Sequence, residues 1–170
     1  MTSIESKVHA LYETGGFIEV FGGLESGKTT FVKQLLLQNK HRTVVLGNDI
    51  HEYTNIDECL AVPTTSPSVA IPALRELLFT RTVRNVVFDQ LGSINEAGES
   101  VHQFLTTHFQ TLLLPVFQAK AVVYIVNSDT FIENAAKTSK ILSSHGAKYL
   151  RTITDMCVYK ANKLVPPILI

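Results

Sequence analysis

The sequence predicts an α/β domain whose central sheet is mostly parallel and flanked by helices. Apolar runs of strand length alternate with segments of helical periodicity along most of the 170 residues, as expected when helical crossovers connect parallel strands. Several of these runs end in polar residues, and ligands of such sheets bind beyond the carboxyl ends of the strands. Toward the C-terminus, the alternation in residues 149–160 predicts one or two strands that are partly exposed or antiparallel.

The elements follow one another in a regular order. A leading helix with apolar residues at helical spacing is expected from Ile4 to Tyr12, before two glycines stop it. Pro72 is tolerable only in the first turn of its helix, and Pro115 is expected near the end of another. The predicted strands are residues 17–21, 43–46, 59–62, 84–89 and 121–127, and the other helices are residues 30–38, 71–80 and 101–117.

The most specific feature is a Gly-x-x-x-x-Gly-Lys-Thr pattern between an apolar strand and a helix, which is the context that a phosphate-binding loop requires. Its glycines let backbone N–H groups point at phosphate oxygens, and the helix that follows adds the positive end of its dipole. The predicted nucleotide contacts are Gly22, Gly23, Leu24, Glu25, Ser26, Gly27, Lys28, Thr29 and Thr30.

Two motifs together predict a site for a nucleotide and Mg²⁺. Lys28 is expected to neutralise charge on the β- and γ-phosphates, and the hydroxyl of Thr29 to hold the ion. Asp89 closes an apolar strand, and a carboxylate at that position helps to bind Mg²⁺ in nucleotide sites. Tyr53 has two interpretations that the sequence leaves open, since its ring could stack on adenine or cover apolar surface.

Composition narrows the class of protein. With 45% hydrophobic residues the chain is expected to form a single domain over residues 1–170. Fifteen basic residues balance fifteen acidic ones, so binding to nucleic acid would need a local patch. Two cysteines without metal-ligand spacing, and no signal peptide or apolar run of membrane-spanning length, predict a cytoplasmic protein that has no membrane partner.

The chain resembles the catalytic core of the RecA-type recombination ATPases over about residues 16–162. Residues 22–30 are similar to the phosphate loop of that family, including its internal Glu-Ser, and residues 86–89 to its second motif. Residues 123–127 are similar to the family's strand that ends in an Asn-Gln pair, and residues 145–151 to the entry of its next strand. The resemblance implies a RecA-like ATPase that acts on single-stranded DNA in recombination or repair.

The resemblance also implies roles for residues outside the phosphate loop. Asp49 best matches the family's water-activating glutamate, with Glu52 as a substitute, so these two and Lys28 are the candidate catalytic residues. Asn127 matches the residue that senses the γ-phosphate. Of the two loops that bind DNA in the family, residues 92–100 carry no Lys or Arg, whereas residues 128–146 offer Phe131, Lys137 and Lys140.

Departures from the family pattern leave alternatives open. Ser128 follows Asn127 where the family has glutamine, and Asp49 is shorter than the usual glutamate. A catalytic core in a chain of only 170 residues is similar to a phage-type recombinase or to a recombinase paralogue. Self-assembly or a recombinase partner subunit is therefore expected. A non-catalytic paralogue that binds ATP as structural glue is the main alternative. A small-molecule kinase is disfavoured because residues 128–146 contain no arginine for a lid.

Overall fold

The structure is a computed structural model that describes residues 4–21, 27–47, 51–63, 67–89, 111–127, 148–153 and 168–169. Helices and strands alternate along most of this length, as the apolar runs predict. The helices are α1 (Ile4–Leu11), α2 (Lys28–Gln38), α3 (Pro67–Phe79) and α4, described over residues 111–119, with a 3₁₀ turn at His51–Tyr53. The strands are β1 (Gly16–Phe21), β2 (Thr43–Gly47), β3 (Cys59–Pro63), β4 (Asn85–Asp89), β5 (Val122–Asn127), β6 (Tyr149–Ile153) and β7 (Ile168–Leu169).

In the part of the chain that the structure describes, one sheet contains seven strands in the order β3-β2-β4-β5-β1-β6-β7. Strands β1 to β6 pair in parallel, and only the pair of β6 with β7 is antiparallel. The expected α/β class with a mostly parallel sheet is therefore confirmed. Parallel alignment brings the carboxyl ends of β1, β2, β4 and β5 to one edge of the sheet.

The C-terminal part of the sheet contains the expected antiparallel pair. Of residues 149–160, residues 149–153 form β6, which pairs in parallel with β1 on one side and antiparallel with β7 on the other. The antiparallel neighbour lies further along the chain, at Ile168–Leu169. Residues 154–160 lie outside the described part.

Two layers of helices cover the sheet because successive strand residues point to opposite faces. Val44 and Leu46 of β2 belong to the apolar cluster beneath α3 and α4, whereas Val45 between them belongs to the cluster beneath α1 and α2. Strand β4 divides in the same way, with Phe88 in the first cluster and Val87 in the second. Asp89, two residues after Val87, therefore lies on the face that α2 covers.

Both proline positions differ from the sequence prediction. Helix α3 begins at Pro67, so Pro72 lies inside the helix rather than in its first turn. Helix α4 continues past Pro115 to residue 119, although proline removes one helical hydrogen bond. Tertiary packing outweighs that loss, because α4 buries Leu112, Val116 and Ala119 in the core at helical spacing.

A buried polar network lies toward the amino-terminal edge of the sheet, where Tyr12 follows the end of α1. The hydroxyl of Tyr12 donates a hydrogen bond to Oδ1 of Asn85 and lies 2.6 Å from the hydroxyl of Tyr124. Burial raises the pKa of both phenols. In Tyr12 the hydrogen bond with Tyr124 and the charge of Arg84 lower the pKa, but the effect of burial is larger. This network is distant from the carboxyl edge and serves to pack the fold.

None of the helices in the described ranges is long and apolar enough to cross a membrane.

Candidate functional site

The candidate site lies at the carboxyl edge of the sheet, where three separate parts of the chain meet. Lys28 and Thr29 are the first two residues of α2, which follows the phosphate-loop segment after β1. Asp89 is the last residue of β4, two strands away from β1 in the sheet. Tyr53 ends the 3₁₀ turn that follows β2. Strand β5 separates β1 from β4, so α2 reaches Asp89 across the end of β5.

Lys28 is a buried residue beside an acidic group. Its side chain is buried, with 5% of its surface exposed. Burial lowers the pKa of its ammonium group, and the negative charge of Asp89 opposes that shift. A partly desolvated ammonium group interacts with phosphate more strongly than a fully hydrated one does. The residue before it, Gly27, has φ of 87°, a left-handed conformation that turns the chain into α2 without steric cost.

Asp89 is almost completely buried and receives hydrogen bonds from two hydroxyl groups. Only 1% of its surface is exposed. Oγ1 of Thr29 donates to Oδ2 of Asp89 over 3.4 Å, and the hydroxyl of Tyr53 donates to the same oxygen over 2.5 Å. The second distance is typical of a strong hydrogen bond between a hydroxyl and a carboxylate.

The phenol of Tyr53 stays protonated as a donor. Burial, the charge of Asp89 and the hydrogen bond to Asp89 raise its pKa well above the usual value, while a hydrogen bond with Thr29 opposes the rise. Deprotonation would place two negative charges side by side in a buried site.

Gly47 is a site residue that sequence reasoning missed. It ends β2 and lies directly beside Asp89 in the register of the sheet. A Cβ atom at this position would be 2.6 Å from the carbonyl oxygen of Asp89 and 3.3 Å from its Cβ. A glycine at the end of a strand was the available signal, since glycine in a strand can mark close backbone approach.

The donor atoms of this site fit Mg²⁺. The Thr29 hydroxyl and the Asp89 carboxylate are hard oxygen donors, and Mg²⁺ in nucleotide sites takes one or two such groups together with phosphates and waters. In the ranges described above, no group of three or more His, Cys, Asp or Glu residues has the arrangement of a metal site. The pair suits an ion that arrives with a nucleotide.

The structure brings together Lys28, Thr29 and Asp89. Asn127 ends β5, where its backbone pairs with Phe21 of β1 at the same edge. Glu52 is exposed in the 3₁₀ turn, and Thr30 is exposed on α2. Other predicted site residues lie outside the described part, namely Gly22, Gly23, Leu24, Glu25, Ser26, Asp49, Phe131, Lys137 and Lys140.

The structure contradicts the adenine-stacking interpretation of Tyr53. The side chain has 0% exposure and belongs to the apolar cluster beneath α1 and α2. A ring packed on all sides cannot present a face to a base. The ring covers apolar surface, as the other interpretation has it. Its hydroxyl contacts Asp89, which no sequence pattern indicated.

Comparison with solved structures shows the same fold in a recombinase. The crystal structure of the RadB recombinase matches with a TM-score of 0.56 and 17% sequence identity, covering 82% of this chain and 75% of that one. No family model matches the chain, and no curated protein matches it either. At this level of identity the likeness shows the fold alone, and it confirms the RecA-like α/β fold that the sequence predicts.

Proposed function

We propose that this chain is a RecA-like ATPase that binds ATP with Mg²⁺, hydrolyses it and acts on single-stranded DNA in recombination or repair. The observation that carries the proposal is the convergence of Lys28, Thr29 and Asp89, with Oγ1 of Thr29 3.4 Å from Oδ2 of Asp89. These residues come from two distant motifs, and they meet where parallel sheets bind ligands. A basic group, a hydroxyl and a carboxylate in one buried corner are the groups that an ATP–Mg²⁺ complex requires.

Each residue has a distinct task in this proposal. Lys28 stabilises the charge on the phosphates, and the amide groups of residues 22–29 bind the phosphate oxygens. Thr29 and Asp89 hold Mg²⁺, which when bound neutralises charge that develops between the β- and γ-phosphates. Asp49 orients the attacking water, with Glu52 as the alternative base. Asn127, at the end of β5, senses the γ-phosphate.

The DNA part of the proposal is supported by the shared fold and by the sequence of residues 128–146. Lys137 and Lys140 would contact the phosphate backbone, and Phe131 would stack on a base. Two acidic residues in the same segment offset the lysines. Binding by one subunit is therefore weak, and useful affinity requires several subunits side by side or a recombinase partner.

The second candidate function is a recombinase paralogue that binds ATP without hydrolysing it and docks on partner subunits. The aspartate at residue 49, shorter than the glutamate of the resembled family, favours this alternative. Nucleotide binding then stabilises the fold by mass action.

Measurement of ATP turnover with and without single-stranded DNA separates these functions. We expect turnover that rises with DNA and is lost in Lys28→Ala, because that lysine compensates phosphate charge. Lys33→Ala is the matched control, since Lys33 lies on the same helix five positions further on. ATP binding without turnover would support the paralogue. Equal ATP affinity in Lys28→Ala and the wild type would contradict the phosphate-loop assignment.

A further inference from the structure

Tyr53 combines complete burial with a polar contact inside the candidate site. Its side chain has 0% exposure, and its hydroxyl donates to Oδ2 of Asp89 over 2.5 Å. We propose that Tyr53 is a positioning residue, whose hydroxyl fixes the Asp89 carboxylate in the orientation that binds Mg²⁺. The inference rests on the proposed nucleotide site, and it assigns Tyr53 a role other than contact with the base.

The two hydroxyl groups that donate to Asp89 make unequal hydrogen bonds. Thr29 is 3.4 Å from Oδ2, whereas Tyr53 is 2.5 Å from the same atom. A threonine hydroxyl that binds Mg²⁺ through a lone pair keeps its proton available, so Thr29 can still donate to Asp89 when the ion is bound. Its 3.4 Å contact is long for such a bond, whereas the contact of Tyr53 is short. The hydrogen bond from Tyr53 is therefore the stronger of the two that orient Asp89.

The ring of Tyr53 makes its hydroxyl a fixed point. It is packed in the same buried cluster as Phe31 of α2, Val45 of β2 and Val87 of β4. The N–H of Ile56 donates to the carbonyl oxygen of Tyr53 over 3.1 Å, which closes the backbone after the 3₁₀ turn. The ring is fixed by packing and the backbone by a hydrogen bond, so the hydroxyl is held in place. A hydroxyl held in this way preorganises the carboxylate to which it donates.

The position of Tyr53 in the chain links two parts of the proposed site. The 3₁₀ turn His51–Tyr53 follows residues 48–50, which include the candidate base Asp49, and it contains Glu52. The contact with Asp89 therefore links the 3₁₀ turn that contains the candidate base Glu52 to the carboxylate that is proposed to hold the ion. If the Tyr53 hydroxyl only stabilised the core, its removal would not change the Mg²⁺ dependence of nucleotide affinity.

The test is Tyr53→Phe, which keeps the ring and removes the hydroxyl. Affinity for a fluorescent ATP analogue is measured by titration without Mg²⁺ and then over a range of Mg²⁺ concentrations. We expect unchanged affinity without Mg²⁺ and a requirement for about tenfold more Mg²⁺ to reach the bound state, as is usual when a group that orients a metal ligand is removed. This readout is an equilibrium binding measurement and does not depend on hydrolysis.

Tyr12→Phe is the matched control. Tyr12 is also a buried tyrosine whose hydroxyl bonds to polar partners, but those are Asn85 and Tyr124 at the other edge of the sheet. This variant should lower the unfolding temperature and leave the Mg²⁺ requirement unchanged. An equal Mg²⁺ shift in both variants would mean a general loss of stability and would overturn the inference.

A second variant pair keeps the inference testable even if Tyr53→Phe lowers stability. Asp89→Asn should weaken the Mg²⁺ effect, and adding Tyr53→Phe should then have no further effect, because Tyr53 acts through Asp89. Additive losses would overturn the proposed role of Tyr53. A wild-type Mg²⁺ requirement in Tyr53→Phe would overturn the inference alone, whereas absence of ATP binding by the wild type would overturn the nucleotide site with it.

Discussion

Gly47 gives the sharpest test of how the sheet positions Asp89. The change is Gly47→Ala, which adds a single Cβ atom beside the end of β4. That atom would lie 2.6 Å from the carbonyl oxygen of Asp89, and real Cβ atoms essentially never come within 3.0 Å of such a neighbour. The obstacle is backbone rather than a flexible side chain, so β4 must move away from β2 by at least about 0.4 Å.

A displacement of that size is large for a site that must be held within about 0.5 Å of its productive geometry. We expect Gly47→Ala to raise the Mg²⁺ requirement of nucleotide binding by about tenfold, with a similar loss of ATP turnover. Affinity for ATP without Mg²⁺ should change little, because Lys28 lies on α2 and not on the displaced strand. Crowding in a packed sheet should also lower the free energy of unfolding by about 1–3 kcal/mol.

The assays are Mg²⁺-dependent binding of a fluorescent ATP analogue, ATP turnover and denaturant unfolding, all on the same preparations. Gly16→Ala is the control, since a Cβ there would be 2.8 Å from Cδ2 of Leu11 and 3.1 Å from the carbonyl oxygen of Lys148, away from the site. This variant should lose stability and keep its Mg²⁺ requirement. A folded Gly47→Ala variant with the wild-type Mg²⁺ requirement and turnover would show that Gly47 does not position Asp89.

Three further predictions concern other parts of the chain. Asp49→Asn should keep ATP affinity and lower turnover by roughly a hundredfold, measured by phosphate release; if Glu52→Gln carries that loss instead, Glu52 is the base. The double variant Lys137→Ala, Lys140→Ala should lose ATP-dependent binding to single-stranded DNA at low salt while still binding ATP, and undiminished fluorescence anisotropy would place the DNA site elsewhere. Lys120→Gly should raise the free energy of unfolding by about 0.5 kcal/mol, because Lys120 has φ of 52° and a side chain is strained there; a lower denaturation midpoint would contradict this.

The positions of Lys28, Thr29 and Asp89 in the fold could be predicted because they are encoded locally. Lys28 and Thr29 follow a glycine-rich segment at the start of a helix, and both the glycine spacing and the helix can be read from neighbouring residues. Asp89 closes an apolar run, so its place at a strand end is local as well. That these residues meet follows from parallel strands, whose carboxyl ends share an edge.

The proline errors show where local rules fail. Pro72 and Pro115 each lie within a helix although proline disfavours that position. The cost of one lost hydrogen bond is offset by buried faces, such as Leu112 and Val116 of α4 and Leu74 of α3, that pack against the sheet. The local cost of proline can be read from the sequence, whereas the tertiary gain depends on which residues pack against the helix.

Tyr53 and Gly47 could not be assigned from the sequence for a different reason. Asp89 is contacted by a hydroxyl from α2, by a phenol 36 positions earlier in the chain and by a backbone that tolerates no side chain at residue 47. Tyr53 and Gly47 belong to no sequence motif, because a tyrosine or a glycine from any part of the chain could make these contacts if the fold brought it beside Asp89. The local motif specifies which chemical groups are present, whereas the tertiary contacts specify how the carboxylate is oriented. Substitutions at residues 47 and 53 should therefore alter Mg²⁺ dependence separately from phosphate binding, whereas a change at Lys28 should weaken phosphate binding with or without Mg²⁺.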